Sequence, residues 1–264
     1  MCPEDVKKLP VSPGDVVVCQ FEIPPAAVAA AFAKARRYGA RTILNPSPVC
    51  PIPEEIFRNT DILIVNETEL AFLSRENVDE NTSAGKIADA AEKLKTDAEQ
   101  TVIVTLGSRG ALVAGGKDML FVDSYKVPAV DTVGAGDCFA GVFAAKLAEG
   151  KDVGESVKTA ARAAAVCVTR KGAAPAMPDA GELEHFCSVA CRKKTSVLLP
   201  NAGIDFINPG VIIVLPSIKC QRSVPAFTEP DKKPCRAETG RRSSALFFSS
   251  VSKKSHLISL LNVS

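Results

Sequence analysis

Asp131 to Gly150 reads DTVGAGDCFAGVFAAKLAEG, a glycine-interrupted loop running directly into an alanine-rich apolar helix. Phe139, Val142, Phe143 and Leu147 recur at helical spacing, and Gly134, Ala135 and Gly136 stand at the junction. A helix leaves the N–H groups of its first turn without intrahelical partners, and its dipole places partial positive charge there. Glycines let an anion such as phosphate approach that backbone closely. Asp137 lies in the first turn. As a passive neighbour it would repel a phosphate, but it is placed to take a proton from a hydroxyl that attacks one. Taken alone, an acid here reads equally as a first-turn residue worth about 0.3–1 kcal/mol to the helix through its dipole. No GxxxxGK[S/T] pattern occurs in the chain, which argues against a P-loop nucleotidase.

Upstream of that loop the chain alternates between strand and helix. Val16 to Phe21 (VVVCQF) is an apolar, β-branched run that predicts a buried strand, ended after Glu22 by Pro24 and Pro25. An acid at the carboxyl end of such a strand faces the ligand side of an open α/β sheet, although Glu22 reads equally as an ordinary exposed strand-end acid. Ala26 to Tyr38 predicts a helix closed by Gly39, followed by a strand at Thr42–Leu44 and the proline-rich turn NPSPVCPIP. A strand at Ile62–Val65 runs into Asn66-Glu67-Thr68-Glu69, which opens a short helix to about Leu73. A helix over about Ala84–Leu94 leads to a strand at Val102–Thr105 and the glycine-bounded turn Leu106–Gly110. A hairpin then pairs Ala111–Ala114 with Met119–Val122 around Gly115-Gly116, and Gly154–Thr169 forms a second alanine-rich helix. The alternation predicts a mainly parallel, doubly wound sheet.

Composition separates the chain into two parts. Residues 187–264 hold 12 Lys/Arg against 4 Asp/Glu, whereas residues 1–186 hold 20 against 26, so a basic tail follows an acidic body. The 264 residues, 46% of them hydrophobic, suffice for one large domain. Nine cysteines show no CxxC pair or regular spacing, which points to neither a zinc site nor a disulfide framework and makes a reducing compartment the default. The N-terminus lacks the basic and apolar regions of a signal peptide, and no apolar run approaches the roughly 20 residues of a membrane span. A cytoplasmic protein with no membrane partner is expected.

VCQFEIP, LNPSP, VNETE, TLGSRG, VDTVGAGDCF and VTRKGAAPAMP follow one another in this order. Together they resemble the ribokinase-like (phosphofructokinase-B) carbohydrate kinases, and within that fold the ribokinases, from about Val16 to Phe186. The resemblance implies a three-layer αβα doubly wound sheet and ATP-dependent phosphorylation of a sugar, D-ribose at its 5-hydroxyl. Asp137 matches the general base and also touches the sugar, Glu22 matches a ligand of the sugar hydroxyls, and Gly134, Ala135 and Gly136 match the anion hole. ATP is expected at Asn66, Thr105, Leu106, Gly107, Ser108, Arg109, Gly110, Gly136 and Asp137. Glu69 would organise Mg2+ through water. A K+ site is implied at Asp131, Val133, Cys167, Arg170, Gly172 and Ala176, mostly through backbone carbonyls. As plain sequence, Asn66 to Glu69 reads equally as a helix N-cap with first-turn acids, and Thr105–Gly110 as a simple turn.

The same resemblance marks departures. Ribokinases begin with a strand, a sugar-contacting Asn and Asp, a Gly-Gly-Lys loop and a β-sheet lid that often makes the homodimer contact, and this chain starts downstream of the segments that would match them. The expected organisation is therefore a remnant at 1–15, an ATP-binding and catalytic domain at 16–186, and a basic, disordered extension at 187–264 without β/α rhythm. Nucleic acid is not an expected partner, because no aromatic or RNA-binding pattern accompanies the basic residues. Two other readings stay open: a catalytically inactive nucleotide-binding or interaction fragment, and a related kinase for another sugar or nucleoside.

Overall fold

Short segments rich in Val, Ile and Leu can bury both faces of a strand, and four such segments, with Arg, Thr or Asn at some of their ends, form the centre of this molecule. The structure is a computed structural model that describes residues 1–115, 118–190, 211–214 and 258–259. The segments are β1 (Val16–Cys19), β2 (Arg41–Leu44), β3 (Ile62–Asn66) and β4 (Thr101–Thr105). They pair in parallel, with Val16 opposite Arg41, Ile43 opposite Ile62, and Ile62 opposite Thr101. An antiparallel hairpin of β5 (Ala111–Gly115) and β6 (Asp118–Val122) extends the sheet beyond β4. Its turn, including Gly116, falls outside the described residues.

Alternate residues along the strands feed two separate cores. Val17, Cys19, Leu44, Leu63, Val65, Val102 and Val104 pack under α2 (Pro25–Arg37) and α5 (Ala84–Leu94), with α3 (Glu54–Arg58) and α4 (Glu67–Ser74) completing that layer. Val16, Val18, Ile43, Ile62, Ile64 and Ile103 pack under α6 (Ala135–Ala148) and α7 (Val153–Cys167), whose Phe143, Ala160 and Ala163 are fully enclosed. The expected three-layer αβα arrangement is therefore present, with a one-residue alternation deciding which layer each side chain joins. Boundaries agree with the reading of the sequence to within two residues for these strands and for α2, α5 and α7.

Three features differ from that reading. A short helix, α1 (Pro3–Lys7), occupies the N-terminal remnant, its Asp5 carboxylate accepting the Cys2 N–H at 2.8 Å while Val6 enters the core. Helix α3 lies directly behind the proline-rich turn, where Pro53 sets up its start. Finally, two apolar pieces of the basic extension join the sheet. β7 (Val211–Val214) runs parallel to β1, with Val16 opposite Val211, and β8 (Ile258–Ser259) pairs with β7. The strand order is β6-β5-β4-β3-β2-β1-β7-β8. Where a disordered extension without β/α rhythm is expected, these positions instead form strands, because the edge of β1 away from β2 carries backbone groups that a further strand can satisfy. The rest of 191–264 lies outside the described residues, apart from these strands. Helix α8 (Ala180–Ala190) closes the acidic part of the chain.

Candidate active site

Parallel strands end together, so the residues that follow them share one edge of the sheet. Here they are polar in every case: Gln20 after β1, Asn45 after β2, Asn66 at the end of β3 and Thr105 at the end of β4. Asn45 donates from Nδ2 to the Ile64 carbonyl at 2.9 Å, and Thr105 Oγ1 donates to the Val65 carbonyl at 3.3 Å, so neighbouring strand ends are tied to one another. Above this edge opens a cleft of about 630 Å³, within the range of small-molecule sites. Asn45, Asn66, Glu69, Thr105, Gly107, Ser108, Gly110, Gly134, Ala135, Gly136 and Asp137 contribute to its walls.

One end of the cleft is built by α6. Gly134 caps the helix at φ 78°, a left-handed conformation natural to glycine. It also lies so close to the following segment that a β-carbon would sit 2.8 Å from Ala173 Cα. At Gly136 the same construction meets nothing within 4 Å, so the helix presents open backbone to the cleft. Asp137, also on the wall, accepts a hydrogen bond at Oδ1 from Gln20 Nε2, 3.0 Å away.

The opposite wall is the start of α4. Asn66 Oδ1 accepts the Glu69 N–H at 2.8 Å and Glu69 Oε2 accepts the Asn66 N–H at 2.9 Å, a reciprocal cap. The cap that the sequence offered as an alternative reading is therefore real, and it coexists with exposure of both residues to the cleft. Glu69 is 6% exposed, and burial pushes its carboxyl above the usual carboxylate range against the opposing pull of the Asn66 N–H. A buried acid with only one oxygen committed to its cap fits an outer ligand of a hydrated divalent cation.

The turn after β4 is a single 3-10 turn, with Leu106 N–H bonded to the Gly110 carbonyl at 2.8 Å. Gly110 has φ 105°, and a β-carbon there would collide with Val122 O and approach Ser124 N to 2.8 Å, so the turn can pack on the segment after β6 only with glycine. Leu106 points into the core. Arg109 does not point into the cleft: its guanidinium donates to Glu67 Oε1 at 2.6 Å and to the Thr82 carbonyl at 2.7 Å, tying the turn to α4. Tyr125, Val127, Ala129, Ala161, Ala164, Ala165 and Val168 give the far end an apolar lining.

The residues expected to hold a monovalent cation come partly together. The Asp131 carboxylate accepts the Gly172 N–H at 2.9 Å and the Val133 N–H at 3.0 Å, and these two bonds hold it below the usual carboxylate range. Arg170 pairs with Glu182 at 2.7 Å and the buried Cys167 thiol lies beside Cys138, so neither side chain supplies an oxygen ligand, and main-chain carbonyls are what these two residues have to offer a cation. Ala176 is buried and brings no side-chain oxygen. Among the described residues no three His, Cys, Asp or Glu side chains gather as a metal site. Carbonyl donors suit a weakly hydrated cation.

Glu22 stands apart: it is exposed on the turn after β1, outside the walls of the cleft. Sequence reading also missed Gln20, Asn45, Ser47 and Tyr125. Gln20 and Asn45 are the first polar residues after buried strands, inside VCQFEIP and LNPSP, which is a usable signal; Tyr125 carries none. No described helix is long and apolar enough to cross a membrane.

Residues 6–180 match the family model of the pfkB family carbohydrate kinases. The chain is 34% identical over 181 residues to the ribokinase of Staphylococcus aureus, covering 67% of this chain and 59% of that protein. Among solved structures it resembles the Arabidopsis thaliana ribokinase complexed with ribose and ATP, at a TM-score of 0.61 and 33% identity, over 70% of this chain and 57% of that one. It also resembles the aminoimidazole riboside kinase of Salmonella enterica, complexed with aminoimidazole riboside and an ATP analogue, at a TM-score of 0.60 and 26% identity, over 71% of this chain and 66% of that one. The chain thus spans little more than half the length of the curated ribokinases it matches.

Proposed function

This chain belongs to the pfkB family of carbohydrate kinases, and from that premise we propose that its cleft binds ATP and transfers the terminal phosphoryl group to a sugar, with D-ribose as acceptor at its 5-hydroxyl. The observation that carries this reading is the position of Asp137 in the first turn of α6, facing the cleft beside the open backbone of Gly136. In the reaction, Asp137 accepts the proton of the attacking hydroxyl, and the amides at the start of α6 receive the charge that develops on the transferred group. Asn66 and the Gly107–Gly110 turn hold the phosphates and the nucleotide from the other side. Mg2+, when bound near Glu69, supplies charge neutralisation at the phosphates. A K+ ion on the carbonyls beside Asp131 and Gly172 would brace the loop that leads into α6.

Ribose is favoured over other acceptors by the ribokinases among the similar proteins, although a riboside kinase stands beside them. A panel of pentoses, hexoses and nucleosides, assayed for acceptor-dependent ADP release by the full chain, tests the choice: ribose is expected to give the highest kcat/KM, and a nucleoside exceeding it would replace ribose. The second reading, a nucleotide-binding module without turnover, draws on Glu22, whose exposed position leaves the sugar side of the cleft without its expected carboxylate. It predicts ATP binding with no acceptor-dependent ADP release.

A further inference from the structure

Gln20 is buried, 7% exposed, and its side-chain amide reaches a residue 117 positions away, the Asp137 carboxylate. An amide removed from water costs free energy unless it finds a partner, and here the partner is the acid at the mouth of the anion site. Both ends of this bond are rigid. The backbone around Gln20 is fixed by the Asn45 N–H donating to the Cys19 carbonyl at 3.0 Å and by the Phe21 N–H donating to the Ser47 carbonyl at 2.9 Å. Asp137 is fixed by α6, whose next two residues, Cys138 and Phe139, are buried.

From this geometry we infer that Gln20 is a positioning residue for phosphoryl transfer: its amide holds Asp137 Oδ1 and thereby turns Oδ2 toward the acceptor hydroxyl. The inference rests on the kinase reading above. The choice of amide has a chemical reason. A lysine or arginine at this place would form a salt bridge with the carboxylate and make it a poorer proton acceptor, whereas a neutral donor fixes its orientation without a full opposing charge. Two residues before Glu22, the end of β1 would thus serve the reacting group directly, whatever reads the sugar.

The test compares wild type, Gln20→Leu, Gln20→Glu, Asp137→Asn and the Gln20→Leu/Asp137→Asn double variant of the full chain. Misplacing a reacting group by about 1 Å can cost about 100-fold, so Gln20→Leu is expected to lower kcat by about 10- to 100-fold with the Kd for ATP within about twofold of wild type. Adding Gln20→Leu to Asp137→Asn is expected to cost nothing further, because the group being positioned is gone. In Gln20→Glu two carboxylates about 3 Å apart cannot both ionise freely, so the acidic limb of the kcat/KM profile is expected to move to higher pH by about one unit or more. Unchanged kcat in Gln20→Leu, an equal loss in the Asp137→Asn background, or a loss of ATP affinity in step with kcat would each overturn the role while leaving the kinase reading intact. A wild-type chain without turnover would remove both. Independently of turnover, the side-chain amide signals of Gln20 in a 15N–1H spectrum are expected to shift in Asp137→Asn, and signals that stay in place would overturn the contact itself.

Discussion

Two glycines two residues apart in the loop that opens α6 should respond to the same substitution with opposite signs. At Gly134 an alanine must hold φ near 78° and place its methyl 2.8 Å from Ala173 Cα and 2.9 Å from Ala173 Cβ. The left-handed conformation costs a non-glycine residue about 1–2 kcal/mol. The collision is with a neighbouring loop rather than a flexible side-chain end, so it adds an overpacking cost of about 1–3 kcal/mol. Together they lower stability by about 2–5 kcal/mol, or about 4–20 °C in Tm for a domain of this size. Gly136 lies inside α6 and its added methyl meets open space. Replacing a helical glycine there gains about 0.5–1 kcal/mol, so Tm holds or rises by about 1–4 °C. The methyl nevertheless occupies the space through which a phosphate must approach the backbone. Gly136→Ala should therefore be at least as stable as wild type and bind ATP at least tenfold more weakly, while Gly134→Ala should lose stability first. Thermal unfolding by circular dichroism and titration calorimetry with ATP and Mg2+ measure the two quantities. Gly136→Ala retaining wild-type affinity for ATP would refute the account of α6 as an open phosphate cradle.

Three further outcomes follow from the same site. Glu69 has its folded pKa raised by burial above its unfolded value, so its contribution to stability is fully present below the unfolded pKa and is lost as pH rises through the folded one; Glu69→Gln should match wild type in Tm near pH 4 and exceed it increasingly toward pH 7, and a constant difference across that range would contradict the sign. Asp131 has its folded pKa lowered by the Gly172 and Val133 N–H groups, so its contribution is present above the unfolded pKa and lost as pH falls through the folded one; Asp131→Asn should abolish any stimulation by K+ over Na+, read as the ratio of rates in the two salts. Arg109→Ala removes a partly buried ion pair worth about 1 kcal/mol, yet it frees the 3-10 turn from α4, so KM for ATP should rise severalfold with kcat within about twofold; a fall in kcat alone would show that Arg109 touches the reacting groups after all.

The strands and long helices were legible because burial on both faces demands short segments dominated by Val, Ile and Leu, and helices against a sheet demand apolar residues at helical spacing. Asp137, the two glycines before it and the Asn66–Glu69 cap were legible because glycines, caps and acids cluster in local sequence. The missed residues are defined by long-range geometry. Gln20 is marked locally only as the first polar residue after a buried strand, and its meeting with Asp137 across 117 positions is written in no local pattern. Arg109, in a motif that implied a nucleotide contact, has its guanidinium spent on Glu67 and the Thr82 carbonyl, a partnership set by how α4 packs beside β4. Helices α1 and α3, each five residues long, are too short for a periodic pattern. β7 is written as VIIV, a strand pattern like that of β1, but its surroundings offer no alternation to place it.

The most direct test is ADP release by the purified full chain with ATP, Mg2+ and K+, with and without ribose, beside Asp137→Asn. Asparagine keeps an oxygen for Gln20 and the shape of the side chain, so the variant should unfold within about 4 °C of wild type, a change of about 1 kcal/mol for this size. The account predicts ribose-dependent ADP release that falls by about 10²- to 10⁴-fold in the variant, the usual contribution of a general base. Ribose-dependent release that survives in Asp137→Asn, or none from a folded wild-type chain, would contradict it.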